Sequence, residues 1–586
     1  MKENTKKSFF YSGLFLLLFI FSNILLTTTL FIFKIKISSY YVPISMIISI
    51  LIIFMLLKRN NFIKSLKCVF ISIILPIIII VCSIYVNGKV LDHSFDGNTY
   101  HKATIGLLKN GWNPIYEKAE EFDKKQKNPI YIEENIERTD NRIWVNHYAR
   151  ASHIFQANIY KFTNNIECGK AINTISIIAL FFITFSYLAQ KLKKIFFAFV
   201  FSLCTISPSV VGAQYLTNYI DLLVYLYLTL LIISFFILEF YKNKNEKIEG
   251  FILYFVSLSM LINIKFTSFA YAGIYCLGYY IYYIVKLKNK KIEKKFFIDF
   301  TSVSIICVLV SIFIIGLAVY PKNIKTNGNP LYPLFGNDSV DIITENQPDY
   351  FENKNTIEKF TISMFSKVEN IAKADKKKAT YKIPFTYNNS ELEAIKTTDA
   401  RISGNGVLFS GIFIITIISL FISGYKMYKE QKKVFLMCLI PLLITILLIF
   451  ILSESWWARY FPQIYYLVLL NILFLSFQNK KSNSIFLSIL ICLIIYNNTI
   501  TIWSSTKYSY DLNINSNNEY RLFLENNNNK DYKIYISSPI FIGTTYNVFD
   551  KMKRYEIVTE YKHIDEVSDY NIFMSGLIYW RGERTD

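Results

Sequence analysis

Apolar runs of about 20 residues, most of them separated by short basic connectors, repeat along most of this chain, and that is the length of a helix crossing a bilayer. They fall near 9–33, 42–57, 68–87, 172–190, 195–213, 217–240, 250–265, 268–285, 297–319, 405–425, 433–453, 457–477 and 484–503. The pattern predicts an α-helical polytopic membrane protein with about thirteen transmembrane helices. The first run is too long, and too quickly followed by others, to be a cleaved signal peptide. Three polar stretches interrupt the pattern. The chain therefore divides into N-terminal transmembrane helices (1–87), a first large loop (88–171), transmembrane helices (172–319), a second large loop (320–404), transmembrane helices (405–503) and a C-terminal segment (504–586). Loops of roughly 85 residues within a membrane protein are usually functional.

Charge orients the spans. The N-terminus MKENTKKS and the connectors at 58–67, 191–194, 241–249, 286–295, 425–433 and 478–481 are basic and all fall on one side. The positive-inside rule puts them in the cytoplasm and the three large segments on the extracytoplasmic face of the cell membrane. The net charge of +20 then reflects topology and attraction to anionic membrane lipids, and gives no reason to expect nucleic acid. Composition agrees: the chain is 53% hydrophobic and 17% aromatic, with mean hydropathy +0.32. Of the eight cysteines only Cys168 falls clearly in an outer segment, and no Cys-x-x-Cys pair suggests a metal or redox site.

Candidate chemistry crowds into LDHSFDGNTYHKATIGLLKNGWNPIY (91–116), where Asp92, His93, Asp96, Tyr100 and His101 fall together. The spacing predicts a helix from about Asp96 to Asn110, with Ser94 or Asp96 as N-cap and Gly111 at the C′ position. Asp96 then reads equally as a catalytic base or as a plain cap. Further on, residues 143–165 predict an amphipathic helix in the membrane interface, with Arg142, His147 and Arg150 at headgroup level as phosphate binders or lipid anchors. Asp221, Lys265 and Arg459 lie at the outer ends of spans, where ionisable residues are functional candidates, while Asp299 reads as a solvated inner flank. The second loop opens rigidly at YPKNIKTNGNPLYPLFG and closes with DARISGNG, placing Asp399 and Arg401 at the membrane surface. The tail predicts a small soluble α/β domain: a helix at 518–526 and strands at 533–542, 554–561 and 569–576. His563 in it reads as a surface residue.

An early outer loop with FDGNTYH and GWNPIY, followed in order by NHYARAS, TNYID, NIKFT, GNPLYPLFG, DARISGNG and WWARYFPQ, resembles the GT-C superfamily of polytopic glycosyltransferases. Within it the chain is most similar to bacterial protein-mannosyltransferase-like and lipid A aminoarabinose-transferase-like enzymes. The likeness spans about residues 85–475. It implies a polyprenyl-phosphate-linked sugar donor, an envelope glycan, lipid or protein acceptor at the outer face, and Asp96 as general base. Sugar transfer needs a base for the acceptor hydroxyl and positive charge or a metal for the departing phosphate. Substrate-binding candidates are Asp92, Tyr100, His101, Arg150, Asp221, Lys265, Tyr332, Arg401 and Arg459. Asp92 and Asp96 are the only candidates for a divalent cation, Mg or Mn, and two carboxylates do not make a metal site. A single inverting displacement is expected. A polysaccharide polymerase or ligase, and a lipid-linked oligosaccharide flippase or transporter, remain as alternatives. A transporter should place its polar groups near the bilayer midplane on broken helices, and no such pattern or internal repeat occurs.

Overall fold

A computed structural model describes residues 1–126, 129, 141–336, 339–340, 346–373, 375–397, 399–478, 481–526, 532–537, 542–554, 559–561, 571–572 and 578–584. The chain is mostly helical. It opens with α1 (Glu3–Ile32), α2 (Tyr41–Arg59) and α3 (Leu66–Asn87). Three loop helices follow: α4 (Lys102–Asn110), α5 (Arg142–His147) and α6 (Ala151–Thr163). A second series comprises α7 (Ile166–Lys191), α8 (Ile195–Ile206), α9 (Asp221–Phe240), α10 (Lys244–Ile264), α11 (Phe266–Lys288) and α12 (Lys294–Ile315). A third comprises α13 (Phe409–Glu430), α14 (Lys432–Ile451), α15 (Pro462–Ser476) and α16 (Lys481–Asn526).

Each of the thirteen apolar runs is helical, but among the described residues ten helices are long and apolar enough to cross a membrane. The three that fall short do so for identifiable reasons. Helix α8 has 12 residues, about 18 Å at 1.5 Å per residue against a hydrocarbon core of about 30 Å. Helix α15 is likewise among the shorter apolar helices. Helix α11 has 23 residues but carries Tyr271, Tyr275, Tyr279 and Tyr283 at four-residue spacing. That stripe faces inward, since all four are buried, which is where an amphipathic helix puts its packing face.

The segment read as an interfacial helix is a core element instead. Helix α6 is buried at every position from Ala151 to Tyr160, and packs against α1 and α4. Its polar residues made it look amphipathic, but they bond inside the fold: Asn158 Nδ2 donates to Asn23 Oδ1 at 2.9 Å and Thr27 Oγ1 at 2.8 Å.

Position 504 lies in the middle of α16, a continuous helix of 46 residues. Beyond it come β1 (Tyr532–Ser537), α17 (Ile542–Arg554), β2 (Thr559–Tyr561), β3 (Asn571–Ile572) and β4 (Ile578–Arg584). The four strands form one sheet in the order β2-β1-β4-β3, with β1 parallel to β2 and antiparallel to β4. Strands expected at 554–561 and 569–576 occur as short pieces, β4 was not foreseen, and His563 lies outside the described residues.

Helix α17 packs directly on the helix that carries Asp96. Tyr546 shares a hydrophobic cluster with Leu108, Trp112, Ile154 and Tyr160. A Cβ at Gly106 would overlap the Tyr546 ring, and one at Gly543 would lie 2.6 Å from both the Asn98 carbonyl oxygen and the Lys102 Cβ. Polar bonds fix the register: Asn547 Nδ2 donates to Glu167 Oε1 at 2.7 Å, and the Tyr160 hydroxyl to Asp550 Oδ1 at 2.7 Å. Glu167 is also paired at 2.6 Å with Lys102 and with Lys170. Gly106→Leu is therefore expected to cost about 1–3 kcal/mol by overpacking, and to speed amide hydrogen exchange in both α4 and α17 of the full-length protein. Unchanged exchange in α17 would contradict the docking.

Candidate functional site

The helix bearing Asp96 begins at Phe95 and widens into a π turn over Gly97–His101 before continuing as α4. Single π turns inside α-helices concentrate at functional sites. Gly111 ends the helix at φ 110°, in the left-handed region expected of a C′ glycine. Asp96 itself has helical backbone angles and its side chain caps nothing, so the capping role does not apply. Its carboxylate is turned to Arg459, 363 residues away, whose Nη2 donates to Asp96 Oδ2 at 2.7 Å.

Arg459 is the centre of the site. Its Nε donates to Asp221 Oδ2 at 2.9 Å and its Nη1 to Asp399 Oδ1 at 2.9 Å. Asp221, at the start of α9, also accepts from Lys265 Nζ at 2.6 Å and Gln214 Nε2 at 3.1 Å. The Arg459 guanidinium lies 4.2 Å from the Tyr219 ring centroid, and the Lys265 ammonium 4.2 Å from that of Tyr460. Such contacts hold a desolvated cation in place. Burial alone would push the Arg459 pKa down, but the three carboxylates and Tyr219 raise it well above the usual arginine value, so the guanidinium stays charged. Arg401 joins the edge: it is 3.7 Å from Asp399 and lies over Trp457.

Asp96 is partly accessible: its side chain is 21% exposed, close to the 24% of Asp399 and unlike the 1% of Asp221. Burial raises its pKa above the ordinary 3.8, Arg459 opposes that, and Asp399 and Asp221 add to it. A carboxylate with a raised pKa and partial access is suited to accept a proton.

The other expected site residues separate into three roles. Asp92 is structural: its Oδ1 accepts from the Ser94 amide at 2.8 Å, and its Oδ2 from the Asn218 amide at 2.9 Å and Nδ2 at 2.7 Å. It thereby ties the first loop to the segment holding Tyr219 and Asp221. Tyr100 and His101 lie beside the centre. The Tyr100 and His101 rings are 4.3 Å apart, and His101 Nδ1 is 2.6 Å from His153 Nε2. Burial lowers the pKa of both histidines, His101 well below its usual value and His153 to about 3, so the pair is neutral.

Arg150 and Tyr332 belong to a different group. Arg150 is 2% exposed, buried in the protein rather than presented to lipid. It donates to the Asn146 carbonyl at 2.7 Å and stacks over Trp112 at 5.3 Å. Tyr332 packs edge-on against His147 at 4.9 Å, and Asn323 bridges His147 and the Tyr332 carbonyl. The turn between α6 and its predecessor α5 sends Arg150 inward.

These bonds bear on two of the candidate roles. Arg459 does not present a free fork to a phosphate, because each of its three nitrogens already faces a carboxylate. Asp92 and Asp96 bond to different groups, one to amide donors and the other to a guanidinium. Among the described residues no group of three or more His, Cys, Asp or Glu side chains is set to hold a metal. Asp399, Gln214 and Tyr219 were not among the candidates. The signal for Asp399 was its place two residues before Arg401 in DARISGNG.

Comparison of the chain with protein-family models, curated proteins and solved structures finds no match.

Proposed function

We propose that this chain is an integral-membrane glycosyltransferase that moves a sugar from a polyprenyl-phosphate donor to an envelope acceptor on the outer face. The observation that carries this reading is the convergence of Asp96, Asp221 and Asp399 on Arg459, with Lys265 bridged through Asp221. Five residues spread over more than half the chain meet at one end of the helix bundle. Asp221 opens α9 there, and the opposite end of α9 leads into the basic connector 241–249. By the positive-inside rule the connectors are cytoplasmic and the site extracytoplasmic, with the N-terminus cytoplasmic and the C-terminus outside.

Charge balance supports the chemistry. Arg459, Lys265 and Arg401 offset Asp96, Asp221 and Asp399. In a single inverting displacement, Asp96 takes the proton of the acceptor hydroxyl. The acceptor oxygen bonds to the anomeric carbon from the face opposite the phosphate, and the bond between that carbon and the phosphate oxygen breaks with its electron pair. As Asp96 becomes neutral the protein group becomes net positive, at the moment the leaving phosphate gains its second negative charge. Arg459 is a positioning residue: it holds Asp96 and is held by the other two carboxylates. Lys265, paired with Asp221, and Arg401, which donates to Asn370 and Asn346, are the other two cations beside it and add to the positive charge the phosphate meets. Clustering of ionisable groups at helix ends favours transfer at a surface over transport through the midplane.

Because the base works deprotonated, transfer is expected to fall as pH falls through an acid limb lying above the ordinary aspartate value of 3.8. The test is release of polyprenyl phosphate by the purified protein from polyprenyl-phosphate sugars across pH. A flat profile over that range would remove Asp96 as the base. A change of polymer length, rather than gain of one sugar, would assign a polymerase.

A further inference from the structure

Asp221 opens α9 and Glu239 lies in its last turn, about 27 Å away at 1.5 Å per residue. Around Glu239, at the end of the bundle remote from Arg459, is a cavity of about 420 Å³. Glu239 is buried, with its side chain 2% exposed, and is paired with both Lys286 and Lys433. Its Oε1 also accepts from the Tyr282 hydroxyl at 3.2 Å. One carboxylate is thus shared by two ammonium groups. Lys290 and Lys291, in the turn between α11 and α12, line the same cavity. Among the described residues neither forms an ion pair, and the remaining lining carboxylate, Glu293, is exposed. Four lysines therefore face two carboxylates.

The walls distinguish this cavity from a patch of solvated lysines. Tyr241 and Phe296 stack at 6.0 Å with an interplanar angle of 18° and form one side. Val285 and Ile298, next to the lining residues on α11 and α12, are each 51% exposed. Apolar surface of this kind, beside a helix such as α12 that is long and apolar enough to cross a membrane, is suited to cover by lipid chains. The cavity thus joins a surplus of positive charge to an apolar flank, which matches an amphiphile with an anionic head.

We propose that this cavity seats the phosphate headgroup of an anionic phospholipid, whose chains lie along α11 and α12. The lipid ties the ends of α9, α11, α12 and α14 together, because Glu239, Lys286, the α11–α12 turn and Lys433 all contribute to one site. This inference is independent of the proposed transferase activity, since no residue of the Arg459 group takes part. Lysines near an anionic surface each strengthen binding by about fivefold.

The experiment uses the full-length protein in micelles of neutral detergent and phosphatidylcholine, titrated with phosphatidylglycerol and read by native mass spectrometry of lipid adducts. In Lys290→Gln/Lys291→Gln, whose substituted residues are exposed, phosphatidylglycerol affinity is expected to fall roughly 30-fold, with phosphatidylcholine adducts unchanged. Lys58→Gln/Arg59→Gln removes the same charge elsewhere among the basic connectors and is expected to retain the wild-type affinity. Equal loss in both double variants, or no preference for phosphatidylglycerol in the wild type, would overturn the site. Displacement of the lipid by an equal concentration of glycerol 3-phosphate would assign the cavity to free phosphate and overturn the lipid.

Discussion

Asp96→Asn is expected to leave the chain folded and inserted while lowering sugar transfer by roughly 100- to 10,000-fold, the usual loss when a general base is removed. The amide keeps the size of the side chain and can still accept a hydrogen bond from Arg459, which retains Asp221 and Asp399 as charged partners. What it loses is the ability to take a proton. A structural role would give a different result. Asp96 makes no capping bond, so an effect of the amide on stability comes through its bond to Arg459, which the amide can still accept. Donor binding should persist. The acid limb of the pH profile should disappear together with the activity, which links the two measurements to one group.

Arg459→Lys is expected to be the most damaging conservative change in the chain. A planar guanidinium with three nitrogens satisfies three carboxylates from different segments at once, and an ammonium on a flexible stem does not reproduce that geometry. Removing one partner of a buried ionic group typically costs about 3–5 kcal/mol, a large share of the 5–15 kcal/mol that stabilises ordinary domains. Thermal unfolding of the purified variant should therefore shift down markedly, and transfer should be lost with it. The rescue is specific: Asp399→Asn in the Arg459→Lys background removes one stranded carboxylate and should recover part of the stability. A normal unfolding midpoint in Arg459→Lys would mean that the three carboxylates do not depend on this arginine.

The periodic features of the fold were readable because they are local. Twenty-residue apolar runs predict spans, and Gly111 closes the Asp96 helix as its neighbours suggest. Shortfalls arose where local hydropathy and tertiary burial diverge. The tyrosines of α11 lower its hydropathy yet are buried in a row. The polar residues of α6 suggested an interface helix, but Asn158 and its partners satisfy one another inside the bundle. In the tail, nothing in 504–526 interrupts helical propensity strongly enough to mark a boundary, and α16 runs through it.

The candidate site was legible as a set and not as an arrangement. Asp221, Lys265 and Arg459 stand out as charges at the outer ends of apolar runs, and Asp96 as one of the acids crowded into 91–116, properties visible one residue at a time. That the Asp96 carboxylate meets the Arg459 guanidinium depends on the packing of α4, α9 and the 452–461 segment, which no local spacing encodes. The same holds for Asp92, whose carboxylate is spent on Asn218. It stands near Asp96 in sequence, whereas its bonds to the Ser94 amide and Asn218 direct it to another segment. The Glu167–Lys102–Lys170 group was missed because buried lysines look in sequence like any loop lysine.

The most direct measurement is mass spectrometry of envelope glycans from cells producing the wild-type chain or Asp96→Asn at equal membrane levels. The account predicts that one sugar decoration present with the wild type is missing with Asp96→Asn, and that the corresponding polyprenyl-phosphate sugar accumulates in the membrane. Identical glycans and identical lipid-linked sugar in the two cells would contradict it.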